Sequence, residues 1–186
     1  MTEQKAANPN GFDLEELQGA ANMLRERPEA GKVAFRSRHE WDEKFAVDGQ
    51  AEEIEQAGQV IRRSYSFRDD YPAELMGTNS GPAPVENLMA ALGACVASTY
   101  ASQAAVRGVE IEGLTVELEA GLDLRGMFKL APVRPGLSEI KAKVRVKSDA
   151  DDATLEDLGR IAAGASPIFD TLANPVPIES SLEVMR

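Results

Sequence analysis

Cysteine and histidine are nearly absent from this sequence, which has 186 residues but only one residue of each type, Cys95 and His39. A single cysteine cannot form a disulfide within its own chain. Zinc sites in proteins usually need three or four Cys or His ligands, which this chain does not supply. We therefore expect no metal site of this kind and no other bound cofactor.

Positive charge is also scarce, and long apolar runs are missing. The chain has 20 Lys and Arg residues and 31 Asp and Glu residues, so its net charge is -11. This negative charge repels the phosphates of nucleic acids. The longest apolar runs fall far short of the roughly 18 residues that a membrane span needs. The N-terminal stretch "MTEQKAANPNGFDLEEL" is unlike a signal peptide. We expect a cytoplasmic protein with a reduced thiol that binds neither nucleic acid nor membrane.

The N-terminal region predicts a loose polar tail followed by one short helix. Asp13 with Glu16 three residues later is typical of a capping box, so a helix from 13 to 27 is expected. Apolar residues recur there at helical spacing, namely Leu14, Leu17, Ala21 and Leu24. We assign residues 1–31 to this tail and appendage helix, and residues 32–186 to one domain.

Two stretches of alternating apolar residues predict strands early in the domain. The first begins at Lys32, and the second covers about residues 59–67. Their apolar face carries Val33, Phe35, Trp41, Ile61, Tyr65 and Phe67, together with His39 and Arg63. A lone histidine in such a row is more typical of a packing residue than of a catalytic base. Arg63 needs a partner, or its guanidinium must reach water.

A loop and a long helix follow. The loop "MGTNSGPAP", residues 76–84, is rich in turn residues but lacks the spacing of a phosphate-binding loop. A helix is then predicted from Pro84 to Arg107. Cys95 belongs to its inner stripe, with Val85, Leu88, Leu92, Val96 and Thr99. Because much of the remaining circumference is Ala, Gly and Ser, we expect this helix to be fully enclosed.

The second half of the chain predicts two paired strands, a helix and a final strand. Apolar residues alternate with acidic ones near residues 114–120 and with basic ones near 140–147. Neighbouring antiparallel strands with one wet face show this pattern. A helix opens near Asp152 and should be interrupted at Pro167, and "VPIESSLEV", residues 176–184, predicts a last strand. Together the elements indicate an α+β protein.

One segment carries a family pattern. The stretch "GPAPVENLMAALGACVASTYASQAAVRGVEIEG", which contains Cys95, resembles the OsmC/Ohr family of osmotically inducible and organic hydroperoxide resistance proteins. The likeness continues through "GLDLRGMF", "VRPGLSEIKAKVRV" and "ASPIFDTLANPVPIE", and covers roughly residues 33–185. The resemblance implies a strongly curved antiparallel sheet with two long central helices. It also implies an intertwined homodimer with a site at the subunit interface, to which this chain adds an N-terminal helix.

The resemblance also implies a chemistry. In peroxidatic members a helix cysteine attacks an organic hydroperoxide, while an arginine and a glutamate hold that cysteine as a thiolate. A second cysteine resolves the sulfenic acid, and an external thiol reduces the disulfide. Cys95 falls on the peroxidatic position. The arginine comes from the N-terminal strand region, which makes Arg36, Arg38 and Arg63 candidates, and of these we favour Arg38.

Two positions depart from that pattern. The residue directly after the proline, commonly the glutamate, is Val85 here, and Glu86 comes one step late. Nine residues turn a helix by about 180°, so Glu86 and Cys95 face apart on one continuous helix. Glu86 joins the site only if the helix begins later or if it acts across a dimer; otherwise its charge favours the helix N-terminus. Ser166 stands where the resolving cysteine is expected, and a serine cannot form the disulfide.

Three hypotheses stay open at this point. The first is a thiol redox protein, a one-cysteine organic hydroperoxide reductase served by an external thiol. The second is a non-catalytic protein of the same fold that binds an apolar small molecule at the dimer interface. The third is a dimeric scaffold in which Cys95 is merely buried, since free cysteine is among the most buried residue types.

Overall fold

The computed structural model describes residues 9–186, so the first eight residues of the predicted tail lie outside the described range. The chain divides into two compact units, the first ending at Ala91 and the second beginning at Leu92. The first unit contains a three-stranded sheet and the second a two-stranded sheet, both antiparallel. These sheets and the helices confirm the predicted α+β class, whereas the division of the chain at residue 32 stays a prediction.

The first unit opens with the predicted N-terminal helix. After a 3-10 turn at Pro9–Gly11, helix α1 covers Leu14–Glu26. Asp13 caps it, because its Oδ1 accepts hydrogen bonds from the backbone N–H groups of Glu15 and Glu16 at 2.9 and 3.2 Å. A 3-10 turn at Pro28–Gly31 then leads into the sheet. The capping signal therefore located this helix to within one residue at each end.

Three strands form the first sheet, in the order in which they occur in the chain. They are β1 (Val33–Trp41), β2 (Val47–Gln56) and β3 (Gln59–Asp69). Strand β2 was not predicted, because its residues VDGQAEEIEQ include a glycine and several acidic residues that strands usually avoid. A two-residue turn at Ala57 and Gly58, both with positive φ, joins it to β3 as a tight hairpin.

The aromatic row predicted for these strands lies on one face of the sheet. Several of its side chains are exposed to solvent in the single chain. Phe35, Trp41 and Tyr65 are 75%, 71% and 62% exposed. The guanidinium carbon of Arg63 lies 4.7 Å from the centre of the Tyr65 ring, in a cation–π contact. Arg63 thus has an aromatic partner while it remains exposed to water.

Helix α2 covers Pro84–Val106, as the sequence predicts, and passes from the first unit into the second. Within the single chain this helix is not fully enclosed, and its enclosure by a second copy stays a prediction. Its buried residues are Leu92, Val96, Tyr100, Ala104 and Ala105. The first four recur every fourth residue and so form one narrow stripe, whereas Ala90, Ala94 and Ser98 are exposed. The helix is long and apolar enough to cross a membrane, a test that core helices of soluble proteins also pass.

The second sheet shows the predicted pairing of acidic and basic residues. Strand β4 (Gly113–Gly121) pairs with β5 (Glu139–Lys147), and a short helix α3 (Leu124–Met127) lies between them in sequence. Glu117 and Glu119 of β4 face Lys143 and Lys141 of β5. The opposite charges on this wet face favour the observed register.

The core of the second unit lies between α2 and a broken helix near the C-terminus. Helix α4 covers Asp152–Ala165 and α5 covers Pro167–Ala173, so the chain breaks at the predicted proline. The buried cluster consists of Tyr100, Ala104, Leu158 and Ala162. The Tyr100 hydroxyl donates a hydrogen bond to the backbone oxygen of Leu155 at 2.9 Å, and burial raises the pKa of Tyr100.

The predicted last strand is wrong. Residues 176–184 form no strand, and the apolar residues of this stretch are exposed, with Ile178 and Leu182 both at 88%. An alternating pattern shows which side chains would share a face, but a strand also needs a neighbour that accepts and donates its backbone hydrogen bonds. Residues 176–184 have no such neighbour within the described chain.

Truncating the core should destabilise this fold. We expect Leu158→Ala to lower the free energy of unfolding by about 2–5 kcal/mol, because Leu158 is fully buried and its loss leaves a cavity. The matched control is Leu130→Ala, since Leu130 is 75% exposed and its truncation should change the free energy by less than about 0.5 kcal/mol. Urea unfolding followed by circular dichroism measures both, and equal effects would contradict the assigned core.

Candidate functional site

A buried carboxylate organises the loop between β3 and α2. Asp70 is fully buried and accepts five hydrogen bonds. The donors are the backbone N–H of Tyr71 and both the backbone N–H and the hydroxyl of Thr78 and of Ser80, at 2.6–3.0 Å. The Thr78 hydroxyl first, and then the Ser80 N–H, hold the pKa of Asp70 well below its usual range. The carboxylate therefore stays charged and keeps the loop folded around it.

Close backbone packing makes the same loop depend on glycine. A side chain at Gly77 would overlap the backbone oxygen of Tyr71, and one at Gly81 would overlap that of Arg68. The Arg68 side chain adds a further restraint, because its Nε donates to the Ser80 hydroxyl at 2.8 Å. Its terminal nitrogens reach Asp42 and Asp48, each at 2.8 Å. Arg68 thus ties this loop to the turn between β1 and β2.

Glu86 serves the start of α2. Its Oε2 accepts a hydrogen bond from the backbone N–H of Ala83 at 2.7 Å, just before the helix begins at Pro84. The helix does not begin later, which was one of the ways in which Glu86 could have reached Cys95. Of the roles left open by the sequence, the structure shows the one at the helix N-terminus, where a carboxylate is favoured. A role across a dimer stays a prediction.

Cys95 lies at the edge of the buried stripe of α2. Cys95 is half-buried. Its neighbours Leu92 and Val96 are buried, whereas Ala94 is exposed. The Ser98 hydroxyl donates a hydrogen bond to the backbone oxygen of Cys95 at 3.1 Å, so this contact involves the backbone of Cys95 and not its thiol. Within the single chain Cys95 is therefore not fully buried, and its role stays a prediction.

The three candidate arginines belong to the first unit, and each has a contact there. Arg38 pairs with Glu40 at 2.8 Å, and both side chains are about two-thirds exposed. Arg36 pairs with Glu53 and Glu55 at 3.1 and 3.0 Å, and Arg63 lies over Tyr65. The choice among them as the partner of Cys95 stays a prediction.

Ser166 has a structural role. It is fully buried and caps α5, because its hydroxyl accepts from the backbone N–H of Phe169 at 3.4 Å. Pro167 follows it at the first position of the helix, where the missing N–H costs nothing. At the position expected for a resolving thiol, the fold thus uses the capping hydroxyl of a serine.

The first unit also contains an open groove that no sequence pattern predicted. We call it the His39 groove; it has a volume of about 660 Å³ and is lined by His39, Val47, Phe67, Asp69, Pro84, Asn87 and Ala91. The rings of His39 and Phe67 are 5.3 Å apart. Asp69 is only 9% exposed, and its Oδ1 accepts from Asn87 Nδ2 at 2.8 Å. The aromatic row was visible in the sequence, but no local pattern pointed to Asp69 and Asn87.

A metal site does not emerge from this geometry. Within residues 9–186, no group of three or more His, Cys, Asp and Glu side chains is placed to hold a metal ion.

The Asp70 network should make stability depend on pH. Its folded-state pKa is lowered, so its stabilisation is complete above the unfolded pKa of about 3.9 and is lost as the pH falls below that value. Asp70→Asn should therefore lower Tm by several degrees at pH 7 and by less near pH 3. The control is Asp149→Asn, an exposed carboxylate, which should leave Tm nearly unchanged. A difference between wild type and Asp70→Asn that is equal at both pH values would contradict this role.

Comparison with solved structures places the fold, while no curated protein sequence matches the chain significantly. An OsmC-like protein from Mycoplasma pneumoniae is similar with a TM-score of 0.60 and 16% identity, over 76% of this chain and 89% of that chain. An OsmC-like protein of unknown function from Vibrio cholerae is similar with a TM-score of 0.54 and 15% identity, over 74% of this chain and 92% of that chain. An organic hydroperoxide resistance protein OsmC from Legionella pneumophila is similar with a TM-score of 0.50 and 16% identity, over 75% of this chain and 88% of that chain.

At these identities the likeness shows a shared fold. The sequence itself matches the family model described as OsmC-like protein over residues 77–181, more than half of the chain. The matched region contains α2 with Cys95 and the α4–α5 break with Ser166. The chain therefore belongs to the OsmC-like protein family.

Proposed function

We propose that this protein is a one-cysteine thiol redox protein that reduces organic hydroperoxides through Cys95. One observation carries the proposal: the only cysteine of the chain lies half-buried on α2, inside the region that matches the family. The similar protein from Legionella pneumophila is described as an organic hydroperoxide resistance protein, which supports the same reaction class.

The reaction needs two half-cycles. In the first, the Cys95 thiolate attacks one oxygen of the hydroperoxide, a sulfur–oxygen bond forms, and the oxygen–oxygen bond breaks. The released alkoxide takes up a proton and leaves as an alcohol, while Cys95 becomes a sulfenic acid. In the second, an external thiol condenses with the sulfenic acid to a mixed disulfide and water. A second external thiol then attacks the mixed disulfide, which releases the Cys95 thiol and forms a disulfide between the two external thiols.

The reductant must come from outside the chain. The chain has no second cysteine, and Ser166, at the matching position, uses its hydroxyl to cap α5. A half-buried Cys95 leaves room for a small external thiol to reach the sulfenic acid. The protein would thus take two reducing equivalents from external thiols for each hydroperoxide.

Arg38 is more available as a cation than Arg36. An exposed ion pair such as that between Arg38 and Glu40 contributes only about 0–1 kcal/mol, so Arg38 can exchange this partner for a thiolate at little cost. Arg36 is held by two carboxylates, and its pKa is raised, first by the hydrogen bond to Glu55. These contacts favour Arg38 as the group that would stabilise the Cys95 thiolate.

A homodimer is part of the proposal. Phe35, Trp41 and Tyr65 leave a large apolar area exposed on the first sheet, and exposed apolar patches of this kind mark interaction surfaces. The exposed small residues of α2, such as Ala90 and Ala94, leave room for a close backbone neighbour. A second copy of the chain would cover both surfaces, as the resemblance implies.

A non-catalytic binding function is the second candidate, and the His39 groove favours it. Its walls are largely aromatic and aliphatic, and its volume of about 660 Å³ lies in the usual range for small-molecule sites. Binding there would need no turnover at Cys95.

Turnover should require Cys95. With cumene hydroperoxide and dithiothreitol, the pure protein should consume hydroperoxide, and Cys95→Ser should fall to the uncatalysed rate because the nucleophile is gone. The control is Ser98→Ala, which changes an exposed hydroxyl three residues along α2 and should keep most of the activity. Equal rates for wild type and Cys95→Ser would remove the peroxidase proposal.

A second thiol at position 166 should change how the sulfenic acid is resolved. We expect Ser166→Cys, treated with one equivalent of cumene hydroperoxide, to form an intrachain disulfide with Cys95, seen by mass spectrometry as the loss of two hydrogen atoms. Ser64→Cys, at an exposed position in β3, should form none. A persistent sulfenic acid in both variants would show that Ser166 does not occupy the resolving position.

A further inference from the structure

Helix α1 has a capped start but no enclosed side within the described chain. None of its 13 residues is buried among residues 9–186. A helix of this length is marginal in water, and most of the stability of protein helices comes from the packing of an apolar face. The N-cap at Asp13 contributes only about 1 kcal/mol. The helix therefore needs a surface that covers its apolar side.

The apolar residues of α1 form one stripe along the helix. They recur every three or four positions, and we call them the α1 stripe: Leu14, Leu17, Ala21 and Leu24. The first three are half-buried and the last is exposed. Polar side chains of the same helix already have partners, since Asn22 Oδ1 accepts hydrogen bonds from Gln18 Nε2 and Arg25 Nη1, each at 2.9 Å. The apolar stripe is thus the part of α1 whose packing is incomplete.

The turn after α1 holds the helix beside the first sheet. Ala30 is buried, and its backbone oxygen accepts a hydrogen bond from Gln56 Nε2, at the end of β2, at 3.0 Å. A Cβ atom at Gly31 would lie 3.6 Å from a methyl carbon of Leu24, so the end of the helix packs closely on this turn. Helix α1 is thereby fixed next to the start of β1, and both belong to the first unit.

The apolar surface continues from the α1 stripe along the sheet. Val33 and Phe35 lie two residues apart in β1, so their side chains share one face, and both are exposed. Phe35 stands opposite Ile54 of β2, which stands opposite the exposed Ile61 of β3. This is the face of the sheet that the homodimer would cover. A second copy on this face would extend to the edge at which α1 is held.

We propose that the α1 stripe of each protomer packs on the second copy of the chain and enlarges the homodimer interface. The inference rests on the homodimer that forms part of the proposed function and gives the N-terminal helix a task within it. Residues 1–8 of the same chain are a poorer cover, because MTEQKAAN contains one large apolar residue and the stabilisation scales with the apolar area removed from water. The proposal needs no reaction at Cys95.

Subunit exchange measures what the stripe contributes. Unlabelled chains are mixed with chains labelled with heavy nitrogen, and native mass spectrometry follows the appearance of mixed dimers. Leu17→Glu places a charge in the stripe and should speed the exchange at least about tenfold, because changes at an interface act mainly on the dissociation rate. The matched control, Gln18→Glu, introduces the same residue at the next, exposed position and should change the rate by less than about twofold. Leu, Gln and Glu have similar helix propensities, so loss of the helix would not explain a difference.

A photo-cross-link shows which surface the stripe contacts. A benzophenone amino acid in place of Ala21 should join an unlabelled chain to a heavy one in the mixed dimers. The same group in place of Gly19, which lies on the opposite side of α1 with open space around it, should form no such link. Links from position 21 that stay within one chain would overturn the proposal, since the stripe would then pack on its own chain. The absence of any link would overturn it as well, since the stripe would then face water.

The outcomes also separate this inference from the homodimer itself. A wild-type chain that stays monomeric in native mass spectrometry would overturn both. A dimer whose exchange rate responds equally to Leu17→Glu and Gln18→Glu would overturn only the role of α1.

Discussion

The buried carboxylate of Asp70 is the interaction on which the placement of α2 depends. Five hydrogen bonds converge on it from Tyr71, Thr78 and Ser80, so the loop before the helix has one stable path. A buried charge without these donors would cost several kcal/mol, so the donors stabilise the folded loop. The Ser80 hydroxyl also accepts from Arg68, and the network thereby reaches the strands as well as the helix.

Residues of helix α2 have several separate roles. Glu86 caps its start, while Asn87 and Ala91 line the His39 groove. Cys95 follows Ala91 by four residues, so the two are neighbours on one face of the helix. One helix thus carries residues of the groove and the thiol, which is why the loop before this helix matters for either candidate function.

The two positions that depart from the two-cysteine pattern share a physical explanation. Glu86 accepts the N–H that precedes α2, and Ser166 accepts an N–H at the start of α5. Each residue satisfies a backbone donor that would otherwise lack a partner at a helix N-terminus. Helix capping thus accounts for both residues within the described chain.

The sequence by itself determined the elements whose signals are local. Asp13 located α1, the proline at 84 located α2, and the alternating charges of Glu117 and Lys143 predicted the pairing of β4 with β5. Capping and periodicity depend on residues a few positions apart, so they can be read along the chain.

Only the tertiary structure decided the rest, because it depends on partners distant in sequence. Strand β2 exists despite its acidic residues since β1 and β3 flank it, whereas residues 176–184 alternate correctly and find no partner strand among residues 9–186. Asp69 and Asn87 are 18 residues apart, and no local pattern reveals that they meet beside His39. The sequence therefore located the thiol, and the fold located the groove and showed which neighbouring residues serve the backbone instead.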